Sequence, residues 1–254
     1  MDGELEILPD KATLWRTAAD CVADLMREAI RRSASCAVAL SGGSTPQEIY
    51  RRLAHPERAS TIEWPQGHLF WGDERCVSPD DADSNFGMAK RALLDHIPIP
   101  AGNVHRILGE WPAETAARRY ERELRDFFGA EPTSPVTPLQ KGGIRFDLVL
   151  LGLGQDGHTA SLFPNSAALE ERQHWALATQ VPGSGAWRVT LTLPVINSAA
   201  NVLFLVSGRG KAGILRDALE GKGPDASLPA RLVQPDSGRL RWLVDTDAAS
   251  LLGA

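Results

Sequence analysis

His158 and Asp156 are the residues whose type and spacing most directly suggest chemistry. A neutral imidazole, with an ordinary pKa of ~6.5, can take a proton from water near neutrality. A carboxylate two residues away can orient that ring or hold a bound molecule, and the spacing leaves both roles open. The pair sits in the segment LVLLGLGQDGHTASLFP, residues 148–164. Leu148–Leu151 is a short apolar run suited to a strand buried on both faces. Gly152 and Gly154 end it, and residues 159–163 are expected to begin a helical turn. A buried strand that ends in glycines and delivers an Asp and a His is how open α/β sheets place chemistry at a strand's carboxyl end. The other histidines (His55, His68, His96, His105 and His174) lack this context and are expected to be structural or solvated.

Further chemistry-bearing residues stand at other strand ends. Ser41, Gly42, Gly43, Ser44 and Thr45 follow the apolar run Cys36–Leu40 and precede a helix. Free N–H groups, three hydroxyls and a positive helix end suit an anion such as phosphate; a tight turn needing glycine is the plain alternative. Asp73, Glu74 and Arg75 follow Gly67–Trp71. The two acids could form a general acid/base pair or hold a metal. Neighbours on a strand face opposite ways, however, so a shared metal is not expected. Arg75 reads as a surface ion pair with Asp73 or Glu74. Lys211 begins a helix after Asn201–Val206 and could reach a phosphate as a point charge, and Arg188 opens the strand WRVTLTL. Both also read as ordinary solvated charges. Gly152, Gly154 and Gly157 match a dinucleotide fingerprint in spacing, but no capped helix follows, so NAD is not expected. There is no GxSxG elbow, and nothing pairs Cys76 with a base.

The elements that must position these groups alternate. Residues 12–32 have helical apolar spacing, and with no helix-turn-helix before Cys36 they read as one helix. Strands are expected at Cys36–Leu40, Gly67–Trp71, 103–107, Leu148–Leu151, 175–181, 187–193, Asn201–Val206 and 240–244, the last followed by a short helix. Thr45 and Glu48 have capping-box spacing with Pro46 at the first helical position. Helices are expected over 84–96, with Ser84 as cap, and over 114–128 and 212–219. Residues 131–143, EPTSPVTPLQKGG, read as an exposed loop. The alternation predicts an α/β fold with a mostly parallel sheet and helices on both faces, formed by residues 1–254 as a single domain. In a parallel sheet the ends at Ser41, Gly72, Gly152 and Ser207 share one rim, the expected ligand site.

Composition narrows the class. Of 254 residues, 43% are hydrophobic and 23% charged, as in ordinary globular proteins. A formal net charge of −5 offers no basic field for nucleic acid. Three spaced cysteines without metal-ligand spacing suggest free thiols in a reducing compartment. The acidic N-terminus lacks signal-peptide features, and no apolar run approaches the ~20 residues that span a bilayer. A cytoplasmic protein without membrane or nucleic-acid partners is expected.

Taken together, SGGSTP, FWGDER, SNF, LGLGQDGHTASLFP, RVTLTLP and SGRGKA resemble the glucosamine-6-phosphate deaminase/6-phosphogluconolactonase superfamily, in order from about residue 36 to 220. Two features resemble its lactonase branch rather than the deaminases. Phe163-Pro164 stands where deaminases carry a Glu-Pro that supports the histidine, and Arg75 stands where they carry a Tyr or similar residue. The resemblance implies a Rossmann-like three-layer sandwich and hydrolysis of a sugar-phosphate lactone, 6-phosphogluconolactone, in the oxidative pentose phosphate pathway. No cofactor or metal is implied. It further implies that His158 is a general base on water, with Asp156 orienting it and Arg75 or loop N–H groups meeting the oxyanion. Ser41, Gly42, Gly43, Ser44, Thr45, Asp73, Arg188 and Lys211 would hold the substrate. The rivals are an amino-sugar-phosphate deaminase and a sugar-phosphate-sensing domain.

Overall fold

The computed structural model describes residues 3–131, 143–221 and 228–253. Apart from its two end residues, the loop expected over 131–143 lies outside them. Nine strands are described: β1 Glu4–Leu8, β2 Cys36–Leu40, β3 Gly67–Trp71, β4 Asp73–Arg75, β5 Leu148–Leu151, β6 Ala176–Gln180, β7 Trp187–Leu191, β8 Asn201–Val206 and β9 Arg239–Asp245. The described helices are α1 Lys11–Ser33, α2 Ser44–Leu53, α3 Pro56–Ala59, α4 Asn85–Ala92, α5 Ala113–Phe128, α6 Leu193–Asn197, α7 Ala212–Glu220 and α8 Pro229–Leu232.

Six strands form one wholly parallel sheet in the order β1-β9-β8-β5-β2-β3. Its central strands are apolar at nearly every position because both faces are covered. From β2 the chain goes to β3 on one side; from β5 it goes to β8 on the other. Crossovers in opposite directions place helices on both faces and open a crevice between the carboxyl ends of β2 and β5. The fold is an α/β sandwich of this kind.

Several local expectations are corrected. Residues before Cys36 are not a single helix: β1 precedes α1. Its Leu5 and Ile7 are exposed, and it is held at the sheet edge partly by Arg241 of β9, 2.6 Å from Glu6 and 3.7 Å from Glu4. The strands read at 175–181 and 187–193 do not join the parallel sheet. As β6 and β7 they form a separate antiparallel sheet with β4, and α5 packs against them. Gly72 is the junction: its N–H bonds Leu40 O at 2.8 Å, and its carbonyl accepts from Leu191 N at 2.8 Å. GDER is thus a crossing from one sheet to the other rather than a simple strand end. Residues 103–107 make one bridge, Val104 to Leu69, instead of a strand. The segment after β9 is a series of turns, not a helix. Ser84 does cap α4, accepting from Gly87 N at 2.9 Å. Thr45 does not cap α2. That helix already begins at Ser44, with Gly43 at the cap and no side-chain bond, while Glu48 turns to Arg51 and Arg52.

Candidate active site

The carboxyl rim carries a cavity of about 580 Å³. It is lined by Ser41, Gly42 and Gly43 after β2, Asp73 and Arg75 of β4, Asp156 and His158 after β5, Arg188 of β7 and Lys211 before α7. Sequence reasoning brought these together; the side chains of Ser44 and Thr45, in the first turn of α2, are not among the lining residues.

The loop after β5 is built to present His158. The Gly154 N–H bonds His158 O at 2.8 Å, and the Gly157 N–H bonds Gly154 O at 3.1 Å. This folds the imidazole back over Gly154, where a Cβ would stand 2.1 Å from His158 Nδ1. Only glycine leaves that space. Asp156 Oδ1 lies 2.5 Å from His158 Nδ1 and also accepts the His158 backbone N–H at 3.2 Å. Burial pushes the Asp156 carboxyl up, but these bonds to His158 hold it below the ordinary value. An ionised Asp156 accepts only, so Nδ1 carries the proton and Nε2 presents a lone pair. No helical turn follows: Thr159 bridges Leu162, Ala160 has φ 48°, and Thr159 Oγ1 donates to Gly152 O at 2.9 Å.

The second sheet supplies positive charge. Arg75 of β4 stands directly opposite Arg188 of β7. Burial, then the neighbouring Arg75 charge, pushes the Arg188 guanidinium below its ordinary value. Like charges opposed on a ladder are unfavourable unless an anion lies between them. Arg75 also donates to Asp83 O. The adjacent acids point apart, as expected. Asp73 lines the cavity and accepts from Ser161 Oγ at 2.7 Å. Glu74 is buried instead at the start of α4, accepting from the N–H groups of Arg75, Asn85 and Phe86 and from Ser84 Oγ. Burial raises its pKa. Among the described residues, no group of three or more His, Cys, Asp or Glu could hold a metal ion. Burial raises the Cys76 thiol too, which gives a nucleophilic role no support.

Lys211 reaches the cavity from the turn after β8. Burial lowers its pKa, against the pull of the Asp156 carboxylate. That turn is fixed by Asp245, which accepts from Ser207 Oγ at 2.6 Å and Gly208 N at 3.0 Å. Among the described residues, no acceptor meets the backbone N–H groups of Gly42 and Gly43. Tyr50 holds the start of their loop by bonding both Ser41 N and Ser41 O.

Phe163, singled out from sequence only as a departure from the deaminases, also lines the cavity, as do Asn85, Gln155, Ser161, Val181 and Pro182, which were not singled out. Gln155, Ser161 and Phe163 lie within the central motif, and Asn85 lies within SNF. Nothing local in the sequence marks Val181 and Pro182, which arrive through the β6–β7 hairpin.

A family model described as glucosamine-6-phosphate isomerases/6-phosphogluconolactonase matches residues 9–242. A 6-phosphogluconolactonase of Nostoc sp. is 40% identical over 254 residues, covering 99% of each chain. One of Haemophilus influenzae is 38% identical over 215 residues, covering 85% of this chain and 87% of its own. The solved 6-phosphogluconolactonase of Trypanosoma cruzi superposes with a TM-score of 0.85 at 28% identity, covering 100% of this chain and 98% of that one. A monomeric glucosamine-6-phosphate deaminase superposes with a TM-score of 0.77 at 23% identity over 98% of this chain and 99% of its own, a likeness of fold alone.

Proposed function

Since the chain belongs to the glucosamine-6-phosphate isomerase/6-phosphogluconolactonase family, we propose that it hydrolyses 6-phospho-D-glucono-1,5-lactone to 6-phospho-D-gluconate, a step of the oxidative pentose phosphate pathway. The observation that carries this reading is one cavity in which an imidazole braced by Asp156 shares the walls with the Arg75–Arg188 pair.

A phosphate placed between the two arginines converts their repulsion into charge-assisted hydrogen bonds. The phosphate does not react, so its binding energy serves to place the lactone carbonyl. Lys211 adds positive charge from another wall. In this reading Arg75, opposite Arg188, serves the phosphate rather than the oxyanion. The unmet N–H groups of Gly42 and Gly43 then become the oxyanion donors, where one such donor is typically worth about 10²–10³-fold in rate.

His158 Nε2 takes a proton from water as its oxygen attacks the lactone carbonyl carbon. The carbonyl electrons move onto oxygen. On collapse the bond from that carbon to the ring oxygen breaks, and His158 returns the proton to the leaving ring oxygen. Asp156 keeps the Nδ1 proton and stabilises the transient imidazolium. The activated ester needs no covalent nucleophile. A deaminase reading would need a further carboxylate on the other flank of the histidine. This chain has Phe163 at the position where the deaminases carry that Glu, with its ring centroid 4.9 Å from the imidazole.

The test is to generate the lactone in situ and follow 6-phosphogluconate formation against the spontaneous rate. Acceleration by the wild type that is lost in His158→Ala supports both reaction and base. No acceleration by the wild type rejects the reading, and ammonia release from glucosamine 6-phosphate would then be assayed.

A further inference from the structure

Building on the lactonase reading, we propose that Asn85 is a specificity-determining residue whose carboxamide oxygen accepts a hydrogen bond from a ring hydroxyl of the bound lactone. Asn85 opens α4 and is only 3% exposed. Its backbone N–H goes to Glu74 Oε1 at 2.7 Å. Its Nδ2 donates to Asp73 O at 2.9 Å and to Asp73 Oδ1 at 3.3 Å. Both partners only accept, so the nitrogen end must face Asp73 and the oxygen end must face away.

That oxygen lies over Gly42, where a Cβ would stand 1.9 Å from it. Among the described residues no donor meets Asn85 Oδ1, and the residue lines the cavity. The oxygen is not sealed inside the protein. A ligand that covers this oxygen without offering an O–H strands it at a cost, and a ligand O–H avoids that cost. The chemistry of the wall selects which part of the substrate faces it. Asn85 Oδ1 and the Asp73 carboxylate are both acceptors. They repel phosphate oxygens and favour hydroxyl donors, while the arginines of the second sheet take the phosphate. The residue therefore reads the sugar rather than the anion.

The experiment compares the parent lactone with its 2-, 3- and 4-deoxy counterparts, each generated in situ, for the wild type and for Asn85→Ala. With the wild type, one deoxy lactone is expected to lose roughly 5- to 100-fold in kcat/KM, as when a desolvated acceptor loses its donor. Asn85→Ala should lose a similar factor on the parent and nothing further on that same deoxy lactone, a non-additivity that a merely structural role does not produce. Asn85→Ser carries the same measurement if the alanine variant melts early. The assignment is overturned if the wild type is indifferent to every missing hydroxyl, or if the variant keeps the full wild-type penalty on each. A wild type that fails to open the parent lactone overturns the lactonase reading as well; one that opens it while the deoxy pattern survives substitution overturns Asn85 alone.

Discussion

His158 and His105 both hold a carboxylate at Nδ1, Asp156 at 2.5 Å and Glu123 at 2.8 Å. Their surroundings differ in what is left over. His105 is 9% exposed, and its Nε2 lies 3.1 Å from His68 Nδ1. Its ring stacks on Phe70 at 4.2 Å between centroids and 8° between planes. Every polar atom of that imidazole is engaged. His158 keeps a side-chain exposure of 34%, and among the described residues its Nε2 meets no partner. The same pair of groups is structural in one place and suited to proton transfer in the other. What separates them is a glycine loop at a strand's carboxyl end on one side and an aromatic cluster on the other.

Removing each imidazole in turn should give the largest difference between the two sites. His158→Ala should lower kcat by about 10²–10⁴-fold with little change in KM. A comparable kcat loss in His105→Ala would show that the distinction is false. Gly154→Ala leaves the imidazole in place but drives a methyl into the space beside Nδ1. We expect about a 10²-fold fall in kcat, the size typical of a misplaced catalytic group, with the far-UV spectrum unchanged. Arg188→Ala tests whether His158 works on a substrate held by its phosphate. It should raise KM by about 10- to 100-fold, as for lost charge-assisted bonds, while kcat at saturation falls far less. From the other side, Glu123→Gln should cost about 1–3 kcal/mol in denaturant unfolding, because His105 loses its charged acceptor, with kcat unaltered.

The contrast between these two histidines is partly legible in the amino-acid sequence. The glycines around Asp156 and His158 are local, and a local pattern survives in sequence. Glu123 lies on α5 and His105 on an irregular segment, so their pairing depends on how α5 packs. The parallel strands are legible because burial on both faces leaves unbroken apolar runs. The edge strand β1 is not, since charge pairing with Arg241 holds it in place of hydrophobic patterning. The antiparallel sheet is hidden for another reason: β6 and β7 read correctly as strands, but no single-strand pattern reveals the partner. That loss matters for the site, because the Arg75–Arg188 opposition exists only once β4 is paired with β7.

His68 gives the finest test, since it is the open end of the engaged cluster. An ionised Glu123 accepts from Nδ1–H of His105, so His105 Nε2 accepts from Nδ1–H of His68, and neutral His68 is left with a bare Nε2. Burial, then the neighbouring His105, pushes the His68 pKa below its ordinary value. The folded state therefore binds fewer protons than the unfolded chain just below the unfolded pKa of ~6.5. The stability contributed by neutral His68 is fully present above that pH and is lost as pH falls through the folded pKa. Wild-type Tm should consequently drop more between about pH 7.5 and about pH 5.5 than the Tm of His68→Gln, by a few degrees at most. The pH profile of kcat should not move in that variant, because His68 does not line the cavity. Equal Tm profiles would show that His68 protonation contributes nothing to stability, and a shifted kcat profile would mean that the two histidine sites are coupled.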